Sequence, residues 1–181
     1  PQNVAGLVLD STETPEGPEP FHVSTFKAIR PMLAELCSDH ACDAVTPNPL
    51  ADLARLVADT GAQALTGIAY DERGRPLRRS INTKALFDLL LAGDLNPVIR
   101  AELPAAVRSA LDHDLGPLLR LTTLAGIHPA REEASSAIDE TLFIDTSCEE
   151  TPFPWQRAAP EATRAVEAEA ALNALPGSDF Y

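Results

Sequence analysis

The stretch VAGLVLDS, residues 4–11, is a short apolar run that ends in two polar residues. A segment rich in Pro and Gly, 12–20, follows it, which is typical of a central parallel strand where it leaves a sheet. A parallel strand needs hydrogen-bonding neighbours, and no apolar run of comparable strength follows. The chain also begins with Pro1 rather than Met. We therefore expect this sequence to be a piece of a larger protein.

The composition is that of a globular chain with a strong acidic excess. Its 181 residues include 27 Asp and Glu against 14 Lys and Arg, a net charge of -13. Nucleic-acid binding relies on clustered cations, so this balance argues against nucleic acid and against anionic membrane surfaces. No apolar run approaches the roughly 20 residues that span a bilayer, and we expect no membrane insertion. The negative charge either keeps the protein soluble or creates a negative field that attracts substrates with a cationic group or a free amino terminus.

Apolar residues recur at three- and four-residue steps along most of the chain, which predicts helices. The predicted helical segments are 21–38, which Pro31 kinks or divides, 46–61, opened by Thr46 and Pro47, 83–93, capped by Asn82 and stopped by Gly93, 115–124, and about 160–175. Pro97 and Pro104 each stand at the predicted first position of a further short helix. Residues 132–146 are ambiguous between helix and strand.

Residues 64–70 and 76–81 predict a small β-hairpin. The loop between them contains Gly74, which supplies the backbone freedom that such a turn needs. The sequence therefore predicts a mainly α fold with one small β-hairpin.

Three cysteines bear on the redox compartment. Cys37 and Cys42 are close in sequence, while Cys148 stands alone. His40 lies between the pair, but zinc needs four ligands and a fourth candidate is missing nearby. We therefore predict a local disulfide between Cys37 and Cys42, no metal site and no cofactor. A disulfide implies an oxidising compartment for the parent protein.

Six short segments, in this order, resemble the lid region of α/β-hydrolases of the tripeptidyl-aminopeptidase-like serine peptidase group. They are LVLDS with PEGP (7–11 and 15–18), CSDHAC (37–42), TGIAYD (66–71), LPAA (103–106), DLGPLLRL (114–121) and CEETPFPW (148–155). The resemblance covers essentially the whole chain. It implies a helical lid, or cap, domain at 21–157, excised from an α/β-hydrolase. Residues 1–20 would be a remnant of a core strand with the lead-in to the lid, and 158–181 an exit helix that returns to the core.

The resemblance also implies that the catalytic residues lie elsewhere. Such enzymes use Ser, Asp and His in that order, with Ser on a Gly-x-Ser-x-Gly turn, and this chain has no such motif. No catalytic residue is therefore assigned, and the chain alone is expected to be inactive. The implied function is a substrate-selecting lid of a secreted or cell-envelope serine aminopeptidase that releases short peptides. Its partners would be a peptide or small ester substrate and the remainder of the hydrolase core.

Within this resemblance, Glu149 and Glu150 are the candidate ligands for the free amino group of a peptide, because carboxylates in a partly dry cleft pair strongly with ammonium. The alternative is an ordinary surface acid pair. Phe153 and Trp155 either line the substrate pocket or fasten the lid to the hydrolase core. The resemblance implies that Cys148 pairs with a cysteine farther along the parent chain; the alternative is a buried free thiol.

Two other functions stay open. The chain is alternatively a self-sufficient helical binding or interaction module. The parent is alternatively an esterase or an epoxide hydrolase, because one fold hosts many chemistries.

Overall fold

The computed structural model describes Gly6 and residues 19–71, 73–127 and 140–176. The chain divides into two compact units. Of the described residues, the large unit comprises 23–71, 73–127 and Pro176, and the small unit comprises 19–22 and 140–175 together with Gly6. Apart from Gly6, the apolar run 4–11, predicted to be a buried strand, lies outside the described residues.

The described residues are mainly helical, with one two-stranded antiparallel hairpin, so the predicted fold class is confirmed. The elements of the large unit are α1 (Val23–Leu36), α2 (Pro49–Ala62), β1 (Leu65–Tyr70), β2 (Pro76–Ile81), α3 (Thr83–Leu95), α4 (Pro97–Leu111) and α5 (Gly116–Leu124). Those of the small unit are α6 (Glu140–Glu150) and α7 (Glu161–Asn173). None of the described helices is both long and apolar enough to cross a bilayer.

Asparagine side chains set the start of three consecutive helices. The side chain of Asn48 accepts a hydrogen bond from the N–H of Ala51, and Asn82 accepts one from Ala85. Asn96 accepts from the first turn of α4. These bonds satisfy N–H groups that have no partner within the helix. The predicted cap at Asn82 is thereby confirmed.

The predicted opening of α2 at Thr46 and Pro47 is wrong by two residues. Asn48 caps this helix and Pro49 occupies its first position. The Thr46 hydroxyl instead donates to the carboxylate of Asp52, and its oxygen accepts from the N–H of Asn48, one residue before the helix begins. Threonine and asparagine are both favoured at helix N-caps, so the sequence alone allows Thr46 or Asn48. The hydrogen bond from Thr46 to the buried Asp52 holds Thr46 in the preceding loop and leaves Asn48 as the cap.

Two predicted helix boundaries around α3 and α4 are wrong. Gly93 was expected to stop α3, but the helix continues to Leu95, and Gly93 is buried against α4. Pro104 was expected to begin a separate helix, but it lies buried inside a continuous α4. Apolar burial on α4, from Leu103 to Val107, outweighs the hydrogen bond that proline removes. Pro97, in contrast, opens α4 as predicted.

Helices α1 and α6 cover the two remaining segments whose structure was open in the sequence. α1 is a single helical element that contains Pro31. Of the ambiguous segment 132–146, residues 140–146 form the first part of α6, and the remainder lies outside the described residues.

The core of the large unit is built by α1 to α5 and both strands. Its apolar side chains with at most 1% exposure are Leu33, Leu53, Leu56, Ile81, Leu86, Leu89, Ile99, Leu118, Leu119 and Leu121. Full burial of one such side chain stabilises the fold by about 1.5–3 kcal/mol. Phe26 adds an edge-to-face contact with Phe87, with ring centroids 5.2 Å apart. In the small unit, by contrast, no side chain of α7 is buried.

The hairpin lies against α5 through one face. Leu65, Gly67 and Ala69 alternate with exposed neighbours along β1, as a half-buried strand requires. A Cβ added at Gly67 would lie 2.7 Å from the Cβ of Leu115, so only glycine permits this approach. Gly74 has a φ of 73° in the turn, which confirms its predicted role.

Candidate functional site

The four predicted substrate-binding residues lie within one short segment of the small unit. Glu149 and Glu150 occupy the last turn of α6, and Phe153 and Trp155 lie in the loop that leads to α7. Both carboxylate side chains are exposed, and both aromatic side chains are half-buried. We call 149–157 the α6–α7 segment.

The two aromatic rings of this segment are stacked. The centroids of Phe153 and Trp155 are 4.9 Å apart, with 20° between their planes. The guanidinium of Arg157 lies 5.3 Å from the centroid of Phe153, within the range of a cation–π contact. The rings therefore form a continuous aromatic surface that is fixed in place by a cation.

Arg157 also closes the end of α6. Its Nη2 donates to the carbonyl oxygen of Glu149 at 2.7 Å and lies 3.4 Å from the carbonyl oxygen of Thr151. Its Nη1 lies 3.6 Å from Oε2 of Glu149. The last carbonyls of a helix have no partner within the helix, so Arg157 acts as a side-chain cap there.

A second contact attaches the segment to α7. The backbone N–H of Gln156 donates to Oε2 of Glu167 at 3.0 Å. The loop is thus fixed to α6 through Arg157 and to α7 through Glu167.

The two glutamates are not equivalent. Glu149 faces the guanidinium of Arg157, although its side chain stays 83% exposed. Glu150 has no protein cation beside it among residues 140–176 or elsewhere in the described chain. An incoming ammonium would therefore meet less competition at Glu150 than at Glu149.

Sequence reasoning missed Arg157 and Glu167. Arg157 offered no clear signal, because residues 132–146 were ambiguous between helix and strand and no helix end was predicted before it. Glu167 offered no signal, because its contact with Gln156 spans eleven residues and depends on how the loop turns.

The predicted disulfide is present. Cys37 and Cys42 are bonded, with their Cα atoms 4.9 Å apart. The bond spans the turn after α1, where Asp39 and His40 have φ angles of 52° and 68°. Cys148 is a free and exposed thiol, so the alternative of a buried thiol is wrong. Its pairing with a cysteine farther along the parent chain stays a prediction.

Metal ligands do not cluster in the part of the chain that the structure describes. No group of three or more His, Cys, Asp or Glu side chains there is arranged to hold an ion. His40 instead pairs with Asp43, with 2.8 Å between Nδ1 and Oδ2, on an exposed turn.

An open groove lies between α1, α3 and α4 of the large unit. Its floor is apolar, and its rim carries one acid and one base, Asp94 and Arg100. This groove could not be predicted from a motif, because its lining residues come from three different helices.

Chemically, the α6–α7 segment offers an exposed carboxylate and a stacked aromatic pair within one short stretch of chain. That combination suits a ligand with one ammonium group and one apolar group. No protein-family model, no curated protein and no solved structure matches this chain.

Proposed function

We propose that this chain is the substrate-selecting lid of an exported α/β-hydrolase, a serine aminopeptidase that releases short peptides. The observation that carries the proposal is the α6–α7 segment, which contains both the exposed carboxylate of Glu150 and the stacked rings of Phe153 and Trp155. The mainly helical fold with one hairpin supports it, because a helical lid is what the ordered motifs imply.

In this proposal, Glu150 binds the free amino group of the peptide. A charge-assisted hydrogen bond between carboxylate and ammonium is about twice as strong as a neutral one. Phe153 and Trp155 contact the first apolar side chain of the substrate. Arg157 holds the end of α6 in position and so fixes the distance between carboxylate and rings.

Hydrolysis itself belongs to the hydrolase core. The chain has no Gly-x-Ser-x-Gly turn, so the nucleophile and its partners are assigned to the parent protein. The lid contributes by excluding water from the active site and by selecting substrates. The Cys37–Cys42 disulfide agrees with an oxidising, exported location for that protein.

The test replaces Glu150 with Gln in the enzyme that contains this chain. We expect KM for peptides with a free amino group to rise about tenfold or more, because an ion pair becomes a neutral hydrogen bond. N-acetylated peptides should be unaffected. Glu161→Gln, at an exposed position of the first turn of α7, is the matched control. Equal changes for both peptide classes would contradict the proposal, and a preference for esters would favour an esterase.

A self-contained interaction module is the second candidate, because the large unit has a core of its own. One test is to incubate the chain alone with chromogenic di- and tripeptides. Turnover would refute the lid proposal, whereas an inactive chain agrees with both a lid and an interaction module. The coding sequence upstream of residue 1 gives the sharper answer. A Gly-x-Ser-x-Gly motif between a strand and a helix is expected there, whereas a start codon adjacent to Pro1 would favour the module.

A further inference from the structure

The outer edge of β2 carries backbone groups that point away from β1. The two strands pair antiparallel from Leu65 opposite Ile81 to Tyr70 opposite Pro76. At the turn, the N–H of Asp71 donates to the carbonyl oxygen of Arg75 at 3.0 Å, so this pair is a hydrogen-bonded one. Hydrogen-bonded and non-hydrogen-bonded pairs alternate along an antiparallel ladder.

The alternation divides β2 into two sets of residues. Leu77 and Arg79 exchange backbone hydrogen bonds with β1. Pro76, Arg78 and Ser80 direct their backbone groups outward instead. Pro76 has no N–H and stands at the first position of the strand, so β2 loses no ladder bond to it.

This outer edge is uncovered within the described chain. The sheet contains two strands there, and β2 pairs with β1 alone. The side chains of Pro76, Arg78 and Ser80 are all exposed. The edge therefore offers two N–H donors, of Arg78 and Ser80, and the carbonyl oxygens of the same outward-facing residues to an added strand.

The same strand concentrates positive charge in an acidic chain. Arg78 and Arg79 are adjacent on β2, and Arg73 lies in the turn, whereas the chain as a whole has a net charge of -13. None of these three guanidinium groups has a carboxylate partner among the described residues. Arg75 differs, because its Nε donates to Asp71 at 2.6 Å.

We propose that the outer edge of β2 binds an extended acidic peptide by strand addition. Backbone bonds to Arg78 and Ser80 would supply the pairing, which is how sheet edges bind peptides in general. Arg78 and Arg79 project to opposite faces of the hairpin, because side chains alternate along a strand. Two consecutive acidic residues in the added strand would therefore meet one arginine each.

The exposed face of the hairpin adds an apolar component. Ile68 and Tyr70 on β1 are 45% and 69% exposed, on the same face as Arg78. A β-branched residue beside the acidic pair of the peptide would extend this face. The surface lies in the large unit and does not include Glu150, so the inference is independent of the proposed function.

The test uses the full chain and a labelled peptide of about eight residues, in which Glu-Glu is flanked by Val and Thr. We expect saturable binding that slows hydrogen exchange at the amides of Arg78 and Ser80. The amides of Leu77 and Arg79, already bonded to β1, should not change. The double variant R78E/R79E should bind about tenfold or more weakly. R55E, at an exposed position on α2, is the matched control and should bind as the unchanged chain does.

Two further probes separate strand addition from charge attraction. Ser80→Pro removes one outward N–H and no charge, and it should weaken binding while the circular dichroism of the chain is retained. Two versions of the peptide carry N-methyl groups on the odd or on the even residues, and one of the two should lose binding, because only alternate N–H groups of the added strand face β2. Absence of binding by the unchanged chain, equal loss in R55E, or full binding of both N-methylated peptides would each overturn the proposal. The proposal would also be overturned if inorganic polyphosphate bound as tightly as the peptide without slowing hydrogen exchange at the amides of Arg78 and Ser80.

Discussion

The hydroxyl of Thr46 donates a hydrogen bond of 2.6 Å to the carboxylate of Asp52, and both residues are buried. The same hydroxyl oxygen accepts from the backbone N–H of Asn48 at 3.1 Å. The second carboxylate oxygen of Asp52 lies 3.5 Å from Nη1 of Arg108 on α4. One buried acid thus joins the loop before α2, α2 itself and α4.

Thr46→Val tests this network with little change of shape. Loss of a hydrogen bond to a charged, buried group should lower the free energy of unfolding by about 1.5–3 kcal/mol. The measurement is urea denaturation at neutral pH. Thr66→Val, on the exposed face of β1, serves as the control and should change stability by no more than about 0.5 kcal/mol. Equal effects of the two substitutions would contradict the assignment.

Gly67→Ala should destabilise the large unit by about 1–3 kcal/mol, because the new methyl group would overlap the Cβ of Leu115. Gly61→Ala is the matched control. Its nearest neighbour would be the Thr83 hydroxyl at 3.9 Å, so helix propensity should raise stability by up to about 1 kcal/mol. Thermal denaturation of both variants measures the difference. A Gly67→Ala chain as stable as the Gly61→Ala chain would show that β1 and α5 are not in close contact.

Reduction of the Cys37–Cys42 disulfide should lower stability by about 2 kcal/mol, because the bond restricts a short loop in the unfolded chain. Chemical denaturation with and without reductant measures the effect. A Cys148→Ser background removes the exposed free thiol and prevents disulfide exchange. A change well below 1 kcal/mol in that background would mean that the turn after α1 keeps its restriction without the bond.

The hairpin turn should weaken at acid pH through Asp71. The backbone N–H of Arg75 and then its guanidinium donate to this carboxylate and hold its pKa below the ordinary value. In the unfolded chain the pKa of Asp is about 3.9. As the pH falls, Asp71 is therefore protonated in the unfolded chain before it is protonated in the folded chain. The contribution of Asp71 is fully present above that pH and is lost as the pH falls through the lower folded pKa.

Asp71→Asn keeps an oxygen acceptor but removes the charge. Comparison of the unfolding free energy at several pH values below about 5 should show a smaller acid-induced loss in this variant than in the unchanged chain. An NMR titration of the Asp71 carboxyl gives the direction of the pKa shift directly. Identical pH profiles for the two chains would contradict the role of Asp71.

Arg157→Ala should loosen the α6–α7 segment. Trp155 is the chain's single tryptophan, so its fluorescence reports on this segment alone. Loss of the cap on α6 and of the contact with Phe153 should shift the emission to the red and increase quenching by acrylamide. Arg157→Lys retains charge without the planar fork and should be intermediate. An unchanged spectrum in Arg157→Ala would show that the aromatic stack is held by other contacts.

Local chemistry explains what sequence reasoning predicted correctly. Asn82 and Pro97 mark helix starts because side-chain caps and proline act within one turn. Gly93 and Pro104 misled it because packing between α3 and α4 overrides their propensities. In the candidate site, the resemblance of the motif at 148–155 selected the segment, and its role in substrate binding stays a prediction. The cap by Arg157 was not predictable, because it depends on a contact across eight residues.

Asn96 both ends α3 and caps α4, so the two helices meet at a single residue. Because no linker residues separate the two helices, the end of α3 determines which face of α4 points toward the core. One residue inserted at this joint would turn the following helix by about 100°, since a helix has 3.6 residues per turn. Leu103 and Val107 would then leave the core together. We therefore expect insertions and deletions to be tolerated at other connections and not at this one. The helices α3 and α4 should behave as a single structural unit.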